Sequence, residues 1–454
     1  MRKNLNFIVL SGLFFGLGFV TCLNDLLTPI LKNLFLLSYY QANFVALAFF
    51  TAYFIGGLFY FLSSLIGIKF FVHLGYKGLI VLGLILAGIG CLFFIPAALY
   101  KSYIIFLVGL FSIGFGFAFL QISINPLALI SGSEQTAASR LNLAQGFNSL
   151  ATALAPIVGV YVFYKLLGVN NNHSNLKYPY IFFFLFFIAF ALLIIKCLKT
   201  DEVKITSHEA SKPYALNHAN LIFGALAIFF YVGSEVSIGT NFISYLKSSE
   251  SLSLGDNIAG KLLAFYWGGA MIGRFLGGIA LSNLTKFRKL IYMIIIAVIL
   301  TFLILQITGI KRLNLSYYVC FQALAIVLFT VSNNSRINLL LFALVNIINL
   351  VIGASIHNSW FAIWAILSMG IFNSVMFPNI FDLAIDGLGK YKEQGSSILV
   401  MMILGGAIMP IIQGHFADVS NIVSSYYVPI IGYVYIFLYA VFYSKKTYQL
   451  IKNT

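Results

Sequence analysis

Charge is what this sequence has least of. Asp, Glu, Lys and Arg make up 9% of its 454 residues, against about 25% in soluble proteins. That shortage excludes a water-exposed globule built around one apolar core. Cysteine is also scarce: Cys22, Cys91, Cys197 and Cys320 stand singly in apolar surroundings, without the spacing of a metal site or a disulfide framework. The six histidines form no metal or nucleophile pattern, and Gly395-Ser396-Ser397 has no acid or histidine at catalytic spacing. No glycine-rich run reads as a phosphate cradle. Catalytic residues, metal ligands and cofactors are therefore not expected.

What the chain has instead is apolar length. It is 61% hydrophobic and 17% aromatic, and a span needs about 20 apolar residues. On that criterion the first half supplies six spans, near 6–31, 42–68, 78–99, 102–130, 140–168 and 178–198. A hydrophilic stretch from Lys199 to Asn217 reads as a cytoplasmic linker. The second half has spans near 219–247, 258–283, 357–387, 395–417 and 424–444. Three further apolar runs, 289–309, 315–332 and 337–354, stand where a six-helix repeat needs one. The expected organisation is an amino-terminal bundle over 1–198, a linker over 199–217 and a carboxy-terminal bundle over 218–454. The second bundle carries an inserted two-span hairpin within about 289–354, its two members undecided. Met1-Arg2-Lys3 followed by an apolar run resembles a signal sequence, but the run is too long and carries Asn24 and Asp25, so a retained first span is expected.

The net charge of +15 does not indicate a nucleic-acid partner, because Lys and Arg sit at span ends. With the amino terminus inside, they favour the cytoplasmic side about two to one, which places both termini in the cytoplasm. Frequent Ile, Phe, Asn and Lys point to an AT-rich bacterial genome and an inner membrane.

Few polar residues interrupt the spans, and those few are grouped. Thr21, Asp25 and Thr28 share one stripe of the first span at i, i+4 and i+7, and Asn24 adjoins it. A charge near the bilayer centre costs roughly 2.5–3.5 kcal/mol, so such an acid faces a polar cavity and serves ion or substrate movement. Gln121 and Asn125 share a face of the fourth span, and Asn142, Gln145 and Asn148 recur at three-residue intervals in the fifth. Carboxamides offer donors and acceptors without a charge, which suits a neutral polyhydroxylated ligand; single membrane amides also serve interhelical hydrogen bonds. Ser234, Ser237 and Asn241 form a stripe in the seventh span. Glu235 beside them is either a second titratable group or a contact to a neighbouring helix. Asn373 and Asn379 surround Pro378, with Asp382 and Asp386 following in a gating or structural network beside Lys390 and Lys392. Gln413 is a further ligand candidate, whereas Tyr53, Tyr266, Trp267 and Trp364 are read as core. Asn125-Pro126 and Pro156 in one half are echoed by Pro378-Asn379 and Pro410 in the other, and paired helix breakers in two halves point to a binding site between repeats.

Together these residues resemble the major facilitator superfamily, in the branch of L-fucose:proton symporters and bacterial glucose/galactose transporters. The segments carrying the likeness are FVTCLNDLLTPILK (19–32), QISINPLALISG (121–132), SRLNLAQGFNSL (139–150), YVGSEVSIGTNF (231–242), YWGGAMIGRFLGG (266–278), IFNSVMFPNIFDLAIDGLGKY (371–391) and QGSSILVMMILGGAIMPIIQG (394–414). The resemblance implies an all-α polytopic membrane protein of two pseudo-symmetric six-helix bundles that works by alternating access. It places Asp25 where the fucose symporter has its first-span coupling acid, and Gln121 where that symporter has a glutamate, as in the glucose/galactose members. The loop between the second and third spans keeps Gly75-Tyr76-Lys77 but has Val72 and His73 where an acidic and a basic residue are usual. Gating is accordingly expected from Lys77, Arg274, Asp386 and the Lys286–Lys289 loop.

The expected function is import of a hexose driven by a proton or sodium gradient. Asp25 and Glu235 would couple the ion, and Asn24, Gln121, Asn125, Asn142, Gln145, Asn148, Asn241, Asn373 and Gln413 would bind the sugar. Its partners are the sugar, the cation and the bilayer. The alternatives are the same fold carrying an amino acid, drug or metabolite, a membrane enzyme acting on lipid-linked sugar, and a sensor that binds without flux.

Overall fold

The computed structural model describes residues 2–37, 41, 44–66, 69–168, 173–198, 214–248, 251–310, 314–332, 334–356 and 358–442. Among them every regular element is helical. Eleven helices are long and apolar enough to cross a membrane, and Phe7–Leu23 and Ser316–Val331 are shorter apolar helices. The charged part of the expected linker, 199–213, lies outside the described residues.

The chain forms two compact units. The first comprises Met1–Ser131, Ala151–Asn217 and Leu388–Leu404. It is built from α1 (Arg2–Phe35), α2 (Phe44–Leu65), α3 (Lys69–Leu92), α4 (Phe94–Leu99), α5 (Tyr103–Ile130), the second part of α6 (Ala137–Val160), α7 (Lys177–Cys197) and α15 (Lys392–Met401). α5 is the central helix. It buries an almost unbroken run from Ile122 to Leu129, with α2 and α3 packed on it and α7 packed on α3. Small residues permit the close approach: a Cβ on Gly116 would meet the Gly83 carbonyl and the Ala87 backbone of α3. At Gly75 α3 takes φ +59, a left-handed conformation open to glycine, and the helix kinks there.

The second unit comprises Gly132–Leu150, His218–Gly387 and Gly405–Thr454. It holds the first part of α6, then α8 (Ala219–Lys247), α9 (Asp256–Ala280), α10 (Lys286–Thr308), α11 (Ser316–Val331), α12 (Ser335–Ser355), α13 (Trp360–Asn373), α14 (Met376–Ala384), α16 (Gly405–Val419) and α17 (Val428–Phe442). Here α9 packs on α13, and α12 packs on both α13 and α17. That repeats the pattern of α2 on α5 and of α3 on α5 and α7. α12 thus holds the place of α3, and the inserted hairpin is α10 with α11, a choice that hydropathy alone left open.

The hairpin shows its origin in its surface. Val298, Ile299 and Phe302 of α10 are exposed, as befits a lipid-facing helix, while Ile304 lies over Gly268 and the Tyr318 hydroxyl lies by Gly269 of α9. Tyr318 donates to the Phe265 carbonyl at 3.0 Å. Gln322 Nε2 of α11 donates to Thr301 Oγ1 of α10 at 2.6 Å, the polar clip of the pair. Thr301→Val is expected to cost about 1 kcal/mol, seen as a lower thermal midpoint of the purified protein, with Thr301→Ser close to neutral.

The prolines inside helices each remove one backbone donor and free the carbonyl four residues earlier. Pro126 frees the Ile122 carbonyl, which accepts from Ser396 Oγ of α15 at 3.0 Å. Pro378 frees the Ser374 carbonyl in the turn between α13 and α14, and Arg274 Nε donates to it at 3.3 Å. The Thr152 carbonyl, four residues before Pro156, accepts from Cys22 Sγ at 3.4 Å. Each of these three breakers thereby ties its helix to a neighbour, as the requirement to satisfy backbone groups in hydrocarbon demands.

Candidate functional site

In the first unit the polar residues of three helices converge. Asn24 and Asp25 lie on α1, with their side chains outside the described residues. Thr21, one turn before Asp25, and Gln121 of α5 are the hydrogen-bond neighbours of the Tyr53 hydroxyl of α2. Asn125 Nδ2 donates to the Gln121 carbonyl at 3.0 Å and to Gln121 Oε1 at 3.2 Å. The two amides, one helical turn apart, therefore act as one group. Tyr53, read from the sequence as core, is buried but joins this polar cluster.

In the second unit the α6 amides sit against α9 and α14. Asn142 is fully buried; its Nδ2 donates to the Ala138 carbonyl at 2.8 Å and to Asn379 Oδ1 at 3.3 Å. Its Oδ1 has no hydrogen-bond partner among the described residues. The close approach is made possible by Gly277 and Gly278 of α9, where a Cβ would meet Asn142 and Leu143, and Ser139 Oγ donates to the Gly278 carbonyl at 2.5 Å. Arg274 Nη1 donates to Ser149 Oγ and, at 3.4 Å, to the Gln145 carbonyl. Gln145 is buried and Asn148 half-buried.

Glu235 of α8 is also buried, and its Oε1 has no hydrogen-bond partner among the described residues. Its electrostatic neighbours are Arg274 and Tyr231. Both carboxyl-bearing helix and guanidinium-bearing helix meet a hydroxyl and amide network behind them. Asn373 Oδ1 accepts from Asn346 Nδ2 at 2.8 Å and from the Tyr433 hydroxyl at 2.7 Å. Asn373 Nδ2 donates to the Tyr266 hydroxyl at 3.0 Å, and that hydroxyl donates to the Glu235 carbonyl at 2.9 Å. Asn373, selected from the sequence as a ligand, is thus committed to three buried side chains.

The other sequence-selected residues are more dispersed. Asn241 Nδ2 turns back onto the Ser237 carbonyl of its own helix at 3.0 Å. Gln413 Nε2 donates to Ser425 Oγ at 3.2 Å, and its Oε1 has no described partner. Lys77 Nζ donates to the Ile195 carbonyl at 2.7 Å, closing the end of α7. The Asp386 carbonyl, with those of Leu383 and Ala384, accepts from Asn220 Nδ2 and closes the end of α14. Asp382 accepts from Ser335 Oγ at 3.3 Å.

Two buried polar groups escaped sequence reasoning. Glu393, in the first turn of α15, accepts from the Tyr76 hydroxyl across 317 residues of sequence; an acid two residues before an apolar span was the available signal. Asn346 and Asn349 of α12 form, with Asn338, a buried asparagine stripe at helical spacing, and Asn349 Nδ2 donates to Ser368 Oγ at 3.2 Å. Among the described residues no cluster of His, Cys, Asp and Glu could hold a metal ion.

Comparison with known proteins gives the arrangement a relationship. The Major Facilitator Superfamily profile matches residues 13–338. A glucose/galactose transporter of Brucella abortus biovar 1 is 37% identical, over 98% of this chain and 96% of its own. An L-fucose-proton symporter of Escherichia coli K12 is 26% identical, over 97% of this chain and 93% of its own. The crystal structure of the MFS transporter FucP in the outward conformation superposes with a TM-score of 0.76 at 25% identity, covering 98% of this chain and 100% of that one. A profile spanning most of the chain, full-length relatives and an all-helical multi-pass architecture agree, and the chain belongs to the Major Facilitator Superfamily.

Proposed function

We propose that this protein is a secondary importer of a hexose of the glucose or galactose type, coupled to a proton gradient and working by alternating access. The observation that carries the reading is the 37% identity to a glucose/galactose transporter over nearly the whole of both chains. A full-length likeness to an L-fucose-proton symporter supports both the sugar class and the proton. Gln121 favours a glucose/galactose cargo over fucose, because it carries no second carboxylate beside Asp25.

Asp25 is the coupling acid in this reading, with Glu235 as a second titratable group. Asn24, Gln121, Asn125, Asn142, Gln145, Asn148, Asn241 and Gln413 are the sugar ligands, and Asn373 supports them through its network. Arg274, Lys77 and Asp386 belong to the gating contacts, each bonded at a helix end or helix break. The two bundles are 1–198 and 218–454, joined by the 199–217 linker and set in a bacterial inner membrane with both termini cytoplasmic, in keeping with the Lys and Arg bias.

The test is uptake into proteoliposomes under separately imposed pH and sodium gradients, with a panel of labelled hexoses, fucose and amino acids. Accumulation of glucose or galactose driven by the pH gradient alone is the expected result. Accumulation driven by sodium replaces the proton in this reading, and uptake confined to amino acids overturns it.

A further inference from the structure

Two spans change unit part-way along, and they do so at matched positions. α6 leaves the second unit after Leu150, six residues before Pro156, and the span of α15 and α16 leaves the first unit after Leu404, six residues before Pro410. The two crossings are built differently. α6 runs through Leu150 and Ala151 as unbroken helix. The other span breaks there: α15 ends at Met401, Met402–Leu404 form a 3₁₀ turn, and α16 starts on Gly405-Gly406. The Met402 N–H donates to the Leu399 carbonyl, three residues back rather than four. A 3₁₀ stretch inside a span, followed by two glycines, is where a helix bends most readily.

Each arm of that span is fastened to its own unit. α15 packs on α2 and α5, where Ser396 Oγ donates to the Ile122 carbonyl at 3.0 Å and Glu393 accepts from the Tyr76 hydroxyl of α3. A Cβ on Gly57 of α2 would meet the Ser397 carbonyl and the Met401 nitrogen, so α2 and α15 touch backbone to backbone. α16 packs on α8. There a Cβ on Gly405 would meet the Phe229 backbone, Met409 lies against Gly233, and Gln413 Nε2 donates to Ser425 Oγ at 3.2 Å. Moving the whole span as one rod would strip one arm of this packing and of its buried hydrogen bonds, with nothing in hydrocarbon to replace them. Bending the 3₁₀ turn strips neither arm.

We infer that Met402–Leu404 is a joint: when the carrier changes state, α15 stays with the first unit, α16 moves with the second, and the turn between them takes up the difference. Hinges of this kind are a few residues at element ends that absorb the change in φ and ψ. Ser396, Glu393 and Gly57 are then the fastenings of one arm, and Gly405 and Met409 those of the other. The inference rests on the alternating-access reading, which requires the two units to move against each other.

Distances between paired spin labels test the joint in the full-length protein in liposomes, with and without saturating D-glucose or D-galactose, at acid and at neutral pH. The labels are carried by Lys196→Cys of α7 for the first unit, Lys247→Cys of α8 for the second, Lys392→Cys of α15 and His415→Cys of α16, with the four native cysteines replaced. Lys196, Lys247 and His415 are exposed and Lys392 is half-buried. The 196–247 distance reports the change of state. The expected result is that the 196–392 and 247–415 distances stay constant while 196–415 and 247–392 change with it. A 196–392 or 247–415 distance that changes together with 196–247 shows an arm leaving its unit; it overturns the joint and leaves alternating access standing. A 196–247 distance fixed under every condition removes alternating access, and the joint with it. Should the cysteine-free background fail to fold, hydrogen exchange of the native protein decides instead. Amide protection over 402–406 is expected to be roughly tenfold lower than over 150–154, where α6 is unbroken, and equal protection overturns the joint.

Discussion

Asp25→Asn is expected to abolish concentrative uptake while leaving exchange of sugar across the membrane. A transporter concentrates its cargo only if ion binding favours one state over the other, and a tenfold accumulation requires about 1.4 kcal/mol of such bias. Asp25 is the acid on the α1 stripe whose neighbouring turn, at Thr21, reaches Tyr53, which Gln121 also meets. An asparagine keeps the size and hydrogen bonds but cannot exchange a proton. In proteoliposomes the inside-to-outside ratio of labelled hexose should fall to about 1, whereas counterflow, which needs no net proton movement, stays within roughly threefold of wild type. Accumulation by Asp25→Asn at the wild-type level would remove Asp25 from the coupling step.

Gly370→Ala is expected to damage the second unit more than its one added methyl suggests. A Cβ at Gly370 would meet the Tyr266 carbonyl and the Ala270 nitrogen, backbone atoms of α9 that cannot rotate aside. Overpacking of that kind costs typically 1–3 kcal/mol and occasionally more. Asn373, less than one turn further along α13, would move with it and stretch its bonds to Tyr266, Asn346 and Tyr433. The variant should lose several degrees of thermal midpoint in detergent, about what 1–3 kcal/mol implies. Gly260→Ala, on α9 itself, has open space around it and should be neutral or slightly stabilising, because alanine is the better helix former. Equal midpoints for the two variants would show that the α9–α13 contact is not tight.

These expectations divide along the line between what a local pattern carries and what only the folded chain supplies. Span positions, paired helix breakers and amide stripes are local, and α5, α8 and the break at Pro378 stand where hydropathy and proline chemistry put them. The side chains that satisfy the broken helices are not local. Ser396, Arg274 and Cys22 come from 100 or more residues away, and no spacing in the sequence joins them to Ile122, Ser374 or Thr152. The hairpin was ambiguous for a related reason: 289–309, 315–332 and 337–354 are equally apolar, and only the packing of α12 on α13 and α17 separates the repeat member from the insertion. Asn373 looked like a ligand because a lone amide in a span reads alike whether it meets a sugar or three buried side chains.

The short member of the hairpin has a further consequence. α11 has 16 residues, so at 1.5 Å per residue it extends about 24 Å, against roughly 30 Å for the hydrocarbon of an ordinary bilayer. A helix that falls about 6 Å short of the hydrocarbon is met by thinning of the bilayer or by snorkelling of its flanking side chains. The insertion therefore puts its mismatch with the bilayer on one flank, at a place where a carrier lacking α11 would have none.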